Sequence, residues 1–292
     1  MSSPLPFLER TTPERLVAAL PALPPLARVL SRLQRLLSDH NSDLDDVAKL
    51  IQLDAALTTR VIQISNSAWY KRGDACKTIQ EAVNRLGFRE VNQLVGVIAA
   101  SAIVAKPLAV YERDAMAMWQ ESISCAFAAE LLAERLSEDT ATAYTMGLLH
   151  SIGWLAIDKH VVANVPNFKP LADEGFPLDH SGAEFALLGF SQAEVAACML
   201  KKWEFAPAIF EPIRAQYEPL DAEEPYDHAA SILHGARLLR SVVCQKMPGD
   251  EMNEDDEILA SIRLSRDDLL ELLPALQTRI TRAQQIMKVA GT

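Results

Sequence analysis

Apolar residues recur at helical spacing along nearly the whole chain, and no segment alternates convincingly between apolar and polar residues. Helix-forming residues dominate the composition, which includes only 11 glycines among 292 residues and 6% aromatic residues. An apolar content of 49% is enough to bury a substantial core in a chain of this length. The sequence therefore predicts an all-α globular protein.

The charge balance argues against two kinds of partner. The formal net charge is −11 and the pI is about 5.1, so the surface repels phosphate backbones and anionic lipid. The longest apolar run, Leu94 to Ala105, has 12 residues and is too short to cross a bilayer. We therefore expect no nucleic-acid partner and no membrane insertion.

The cysteines and the first residues point to a reducing compartment. The four cysteines lie far apart and form no C-x-x-C pair, so neither structural zinc nor a disulfide framework is expected. The first ten residues contain acid and proline where a secretory signal needs a basic start and an unbroken apolar stretch. Together these features predict a cytoplasmic location.

Periodicity and breaker residues divide the chain into helices. The predicted helices cover residues 13–20, about 23–38, 44–53, 57–68, 79–86, 89–105, 114–136, 139–161, 178–188, 192–203 and 226–245, and two more open at Pro207 and Arg266. The helix over 89–105 is apolar nearly all round and should be the buried centre of the N-terminal half. Pro274 is expected to kink the last helix, and the acidic run 250–257 is expected to be a solvated loop.

Several helix ends carry recognisable caps. Ser42 with Asp45, and Thr78 with Glu81, have the spacing of capping boxes. Gly87 is placed as a glycine that ends a helix.

The stretch Y-T-M-G-L-L-H-S-I-G-W-L holds the most informative histidine, His150. On a helix, Met146, Leu149 and Ile152 share one face, and His150 lies beside them, so its ring should be buried or half-buried. A lone histidine in such a place is more often a core residue with satisfied ring nitrogens than a metal ligand.

Other polar and aromatic residues favour structural roles. Asn66, flanked by Ser65 and Ser67, is expected to satisfy backbone groups at a helix end. His160 and His180 are expected at the surface or at caps. The tryptophans are predicted to be packing anchors between helices, and they are Trp69, Trp119, Trp154 and Trp203.

The pattern G-L-L-H-S-I-G resembles the G-L-L-H-D-I-G-K box of the HD superfamily of metal-dependent phosphohydrolases. Further phrases, in order, resemble the HDOD family, the HD-related output domain of bacterial signalling proteins. These phrases are L-P-P-L at 23–26, D-A-A-L-T-T-R-V-I-Q-I-S-N-S-A-W-Y at 54–70, I-Q-E-A-V-N-R-L-G at 79–87, Trp119 with Ser122, Glu184 with G-F-S-Q-A-E-V at 189–195, K-K-W at 201–203, and Pro207.

This resemblance implies an architecture. An HDOD domain would cover residues 20–245, with an N-terminal helical subdomain, 20–106, packed on an HD-like helical core, 107–245. Residues 1–19 would be an N-terminal extension, and residues 246–292 a C-terminal helical extension.

The resemblance also locates a degenerate metal pocket. In HD enzymes the adjacent histidine and aspartate of the box bind a divalent metal, whereas this chain keeps His150 but has Ser151 beside it. The other pocket positions carry Glu121, Gln192, Gln216, Tyr217 and Arg237. One histidine and one glutamate survive, and an arginine replaces a carboxylate, which disfavours a divalent cation. We therefore expect no metal and no cofactor.

Two functional classes remain open. The first is a non-catalytic signalling module that binds another protein, or a second copy of itself, in a bacterial regulatory network. The alternative is a phosphohydrolase or a nucleotide-binding protein, including one for cyclic dinucleotides, that retains the altered pocket. In that case Arg237 would attract a phosphate group.

Overall fold

The computed structural model describes residues 11–20, 25–39, 41–71, 73–165, 181–244 and 256–290. Within these ranges the chain is helical, with no β-strand beyond one isolated bridge between Leu108 and Arg113. The all-α prediction is therefore confirmed. His180, the start of the predicted helix 178–188 and most of the acidic run 250–257 lie outside the described residues.

Five helices come first along the chain, and the second, third and fourth pack around the fifth to form an N-terminal subdomain. They are α1 (Pro13–Ala18), α2 (Pro25–Ser38), α3 (Leu44–Gln52), α4 (Ala55–Ser65) and α5 (Ile79–Ile103). Pro25 is the first residue of α2, where its missing N–H costs no helical hydrogen bond. Helices α2, α3 and α4 pack around α5, whose segment from Val91 to Ala100 is buried throughout.

Helix α5 confirms two of the predicted helix ends. Thr78 and Glu81 form a capping box at its start. Gly87 has φ +77°, which a side chain would disfavour, and it breaks the helical run into two segments. The bend directs the second segment of α5, which is apolar, into the centre of the subdomain.

Seven further helices form a second group that packs on α5. They are α6 (Ala115–Leu136), α7 (Thr140–Leu149), α8 (Gly153–Asn164), α9 (Ser181–Leu188), α10 (Gln192–Lys202), α11 (Pro207–Arg214) and α12 (Asp227–Val243), with a 3₁₀ turn at Pro219–Asp221. Helix α6 lies at the centre, between α7 and α12, and it carries the buried Trp119. Helix α1 reaches across to contact α8 and α10.

The C-terminal helices bind both groups. They are α13 (Asp256–Ser261), α14 (Arg266–Leu270) and α15 (Leu273–Ala290). Helix α15 packs on α4, α5 and α6 through an apolar stripe that includes Leu276, Ile280 and Ala283. Pro274 is the second residue of α15, so it begins this helix and the predicted kink is wrong.

A buried carboxylate joins α15 to α5 and α6. Glu130 of α6 is only 2% exposed and accepts hydrogen bonds from Arg279 (2.6 Å), Arg89 (3.1 Å) and Gln93 (2.7 and 2.9 Å). Burial raises the pKa of the Glu130 carboxyl, while Arg279, Gln93 and Arg89 act in the opposite direction. These contacts hold the C-terminal helix against both groups.

Two local predictions are wrong. The cap of α3 is Asp43 with Asp46, one residue beyond the predicted Ser42 and Asp45, because aspartate caps a helix as well as serine does. Trp69 is 60% exposed and is not a packing anchor. The neighbouring Tyr70 turns inward instead and donates to Glu90 (2.9 Å).

Across the described ranges, no single helix has both the length and the apolar composition to cross a membrane. Helices α9 and α10 meet these criteria only when they are counted together across an 82° bend.

We expect the Glu130 contacts to dominate the attachment of α15. Glu130→Ala removes the buried carboxylate that accepts from Arg279, Arg89 and Gln93 and leaves the two arginines only Glu134, so it should lower the free energy of unfolding by about 2 kcal/mol. The measurement is urea denaturation followed by circular dichroism. The matched control, Glu138→Ala, removes a carboxylate that is 51% exposed and should cost less than about 1 kcal/mol. Equal losses for the two variants would contradict this interpretation.

Candidate functional site

Two glycines bring His150 into the middle of the helical core. A Cβ atom at Gly147 would lie 2.5 Å from the carbonyl oxygen of Cys125, and one at Gly153 would lie 2.0 Å from the carbonyl oxygen of Gln192. Both distances are too short for any side chain, so the glycines of G-L-L-H-S-I-G let this segment press against α6 and α10. Close packing thus accounts for the two glycines of the motif, independently of the metal-binding role that the motif has in HD enzymes.

The predicted continuous helix over 139–161 is wrong, because it breaks between Leu149 and Gly153. The amide of Trp154 donates to Ser151 (3.2 Å) and leaves the carbonyl of His150 for other donors. The side-chain amides of Gln192 (3.0 Å) and Gln216 (2.9 Å) donate to that carbonyl. These two side chains replace the helical hydrogen bond and link the break to α10 and to the end of α11.

The ring of His150 is buried and held at both nitrogens. Its Nδ1 lies 2.7 Å from the carbonyl oxygen of Gly147, and its Nε2 lies 2.7 Å from a guanidinium nitrogen of Arg240. Arginine can only donate, so Nε2 accepts, and the proton must lie on Nδ1 and be donated to Gly147. Burial holds the pKa of His150 well below its ordinary value, and the charges of Arg240 and Arg237 lower it further. The ring is therefore neutral, with its Nε2 lone pair occupied.

Five of the predicted pocket residues lie together. Arg237 donates to the backbone carbonyl of Gln216 (2.7 Å), and its guanidinium lies 4.4 Å from the ring centroid of Tyr217. The side-chain amide of Gln192 donates to the hydroxyl of Tyr217 (2.9 Å) as well as to His150. These contacts connect the end of α7 with α10, the end of α11 and α12 around one histidine.

The two remaining predicted positions supply little to a metal. Ser151 is buried, and its hydroxyl has no hydrogen-bond partner among the described residues. Glu121 is paired with Arg113, 3.3 Å from the guanidinium Nε to a carboxylate oxygen. Glu194 is used as a cap, since it accepts from the backbone N–H of Ser191 (2.7 Å).

The residues present do not fit a divalent metal. A metal would need the Nε2 lone pair of His150, and Arg240 already occupies it with a positive charge. Across the part of the chain that the structure describes, no three His, Cys, Asp or Glu side chains are placed to share a metal ion. These side chains therefore do not support the metal-dependent chemistry of HD enzymes.

The sequence did not single out Arg240, although a signal was present. The resemblance places Arg237 where HD enzymes have a carboxylate, and Arg240 follows three residues later on the same face of α12. The resemblance includes Glu184 but assigns it no role. In the structure it is buried and accepts hydrogen bonds from Tyr111 (2.9 Å), Trp154 (2.9 Å) and the backbone of Gln192 (2.6 Å).

The other polar candidates have structural roles. Asn66 closes a loop by donating to the carbonyl of Cys76 (2.8 Å) and accepting from its N–H (2.7 Å), as expected of a residue at a helix end. His160 is half-buried near the end of α8 and lies beside Asn164. Trp119, Trp154 and Trp203 are buried, which confirms them as packing residues.

Comparisons with known proteins agree with this architecture. A sequence model of the HDOD domain matches residues 23–219. A solved structure from Shewanella amazonensis, provisionally named a phosphohydrolase, is 27% identical, with a TM-score of 0.69 and coverage of 95% of this chain and 99% of that chain. An HDOD domain protein of unknown function from Geobacter sulfurreducens is 21% identical, with a TM-score of 0.72 and coverage of 94% and 97%.

A curated relative is longer than this chain. An uncharacterized protein of Treponema pallidum is 23% identical over 218 residues, which are 74% of this chain and 42% of that protein. The chain therefore spans less than half the length of this relative.

We expect the neutral His150 to make stability depend on pH. Below about pH 6.5 the unfolded chain binds a proton at this histidine that the folded chain excludes, so stability falls as the pH falls. The difference in unfolding free energy between the wild type and His150→Gln should shrink by about 1 kcal/mol from pH 6.5 to 5.5. Urea titrations at the two pH values measure it, and a constant difference would show that the folded His150 takes up the proton.

Proposed function

Since the chain belongs to the HDOD family, we propose that it is a non-catalytic regulatory module that acts through contacts with other proteins. The observation that carries this proposal is the hydrogen bond from Arg240 to the Nε2 atom of His150 (2.7 Å). The one histidine retained from the HD box serves as an acceptor inside the core.

Metal-assisted hydrolysis asks for a different set of groups. A divalent ion lowers the pKa of a bound water and stabilises the charge on a phosphoryl group, and it is held by neutral histidines and carboxylates. Around His150 the corresponding positions carry Ser151, Gln192, Gln216 and Arg237. A buried guanidinium also repels a cation, so the electrostatic balance of this region supports a role without metal.

The polar groups support a role in holding helices together. His150 receives donors from α10, from the end of α11 and from α12, through Gln192, Gln216 and Arg240. A cross-link of this kind fixes the relative positions of these helices, as a bound metal fixes its ligands. A module with a rigid core presents a defined surface, and we propose that a bacterial signalling protein or a second copy of the chain binds there.

The alternative is a hydrolase or a nucleotide-binding protein. The Shewanella amazonensis relative, which is 27% identical, is provisionally named a phosphohydrolase. In this chain, however, Arg237 already donates to Gln216 and stacks on Tyr217, so anion binding would require it to give up contacts within the fold. This geometry favours the regulatory role.

The proposal predicts that the purified protein neither retains a metal nor hydrolyses phosphodiesters. Metal content is measured by inductively coupled plasma mass spectrometry after purification without a metal-chelating tag. Turnover of a generic phosphodiester is measured with added Mn²⁺. We expect metal far below one ion per chain and turnover equal to that of the His150→Ala control. Near-stoichiometric metal and Mn²⁺-dependent turnover, both lost in His150→Ala, would establish the enzyme instead.

A further inference from the structure

A cavity lies away from His150, between the N-terminal subdomain and the second group of helices. Its volume is about 350 Å³, and helices α2, α5, α6 and α7 contribute its lining. This volume is within the usual range for small-molecule sites, which is about 300–1,000 Å³. None of the residues described around His150 lines it.

One wall of this cavity is apolar. Leu36 and Leu37 of α2 line it together with Phe88, a large apolar side chain that is 36% exposed. Phe88 follows Gly87, whose φ of +77° bends α5 at this point. The bend therefore presents an uncovered aromatic ring to the cavity, and such a ring favours a flat ligand that stacks on it.

The cavity also contains a buried amide. Asn92 lines it, is 3% exposed, and uses its side-chain oxygen to accept a hydrogen bond from Gln34 (2.9 Å). Among the described residues, its Nδ2 donor has no hydrogen-bond acceptor, so this group is available to a ligand in the cavity that Asn92 lines. A ligand that accepts a hydrogen bond from this amide would therefore gain a contact that no protein group provides.

The charges around the cavity exclude an anionic ligand. Arg89 lines the cavity but is paired with Glu130 and Glu134. Arg279 pairs with the same two carboxylates, so these four charges balance. Asp39 adds a negative charge to the lining. Among the described lining residues, no surplus positive charge is left for a phosphate group.

We propose that this cavity binds an uncharged planar heterocycle with a hydrogen-bond-accepting edge, of nucleobase or nucleoside size. The ring would stack on Phe88, and its edge would accept from Asn92. The site joins α2 and α5 to α6 and α7, so occupancy would favour one arrangement of the two groups of helices. This goes beyond the proposed function, because it supplies a small-molecule input that does not involve His150.

The test uses the full chain with adenosine, guanosine, cytidine and uridine as probes. Saturation-transfer NMR detects binding, and titration calorimetry gives the affinity. We expect at least one nucleoside to bind the wild type, with about tenfold weaker affinity in Phe88→Ala because base stacking is lost. The matched control, Phe185→Ala, truncates another exposed phenylalanine, 51% exposed, that does not line this cavity, and it should leave the affinity unchanged.

Two further arms make the result decisive. Ala141→Leu fills the cavity from α7 and should abolish binding, which keeps the test valid if Phe88→Ala fails to fold. The 5′-monophosphate of the bound nucleoside should bind more weakly than the nucleoside. Absence of binding by all four probes, equal affinity in Phe88→Ala and the wild type, or tighter binding of the monophosphate would each overturn the proposal. The metal and turnover assays do not depend on any of these outcomes.

Discussion

A buried hydrogen bond from Arg240 to His150 connects α12 to the break between α7 and α8. By occupying Nε2, the arginine fixes the histidine as a neutral ring that donates from Nδ1 to Gly147. The backbone carbonyl of His150 is turned away from its own helix and accepts hydrogen bonds from the side chains of Gln192 and Gln216. One residue thus joins α7, α8, α10, α12 and the end of α11, and the fold uses it as a structural junction.

Both arginines of this junction donate hydrogen bonds, although the Nε atom of Arg240 and the side-chain oxygens of Gln192 and Gln216 are buried without a partner among the described residues. A buried guanidinium is costly unless it donates, and here Arg240 donates to His150 while Arg237 donates to a carbonyl and stacks on Tyr217. In the Glu130 cluster, likewise, arginines from α5 and α15 donate to one buried carboxylate of α6. The two clusters differ in consequence, because the first fixes the helices within one group and the second joins both groups to the C-terminal helix.

Local rules predicted the class and many helix ends, because they depend on neighbouring residues. The capping box of Thr78 and the bend at Gly87 are examples, and each is decided within about four residues. The break after Leu149 was not predictable in this way. It depends on Gln192 and Gln216, which lie 42 and 66 residues further along the chain than His150.

The sequence likewise predicted only part of the site around His150. The resemblance named residues that the fold brings together around His150, but it compared each position with a metal ligand. Arginine is not a metal ligand, so a comparison with ligand positions does not select Arg240, although it lies three residues beyond Arg237 on α12. Residue type alone is also misleading at Trp69. Tryptophan usually packs in a core, but Trp69 is exposed and the neighbouring Tyr70 is buried instead.

The most direct test of the role of His150 is the ¹⁵N NMR spectrum of its ring, assigned with a His150→Gln sample. We predict a neutral ring between about pH 6 and 8, protonated at Nδ1, with an Nε2 shift that does not change when Mn²⁺ or Zn²⁺ is added. A ring protonated at Nε2, or an Nε2 signal that shifts or broadens on addition of metal, would show that Arg240 does not hold this position and that the HD site can bind a metal ion.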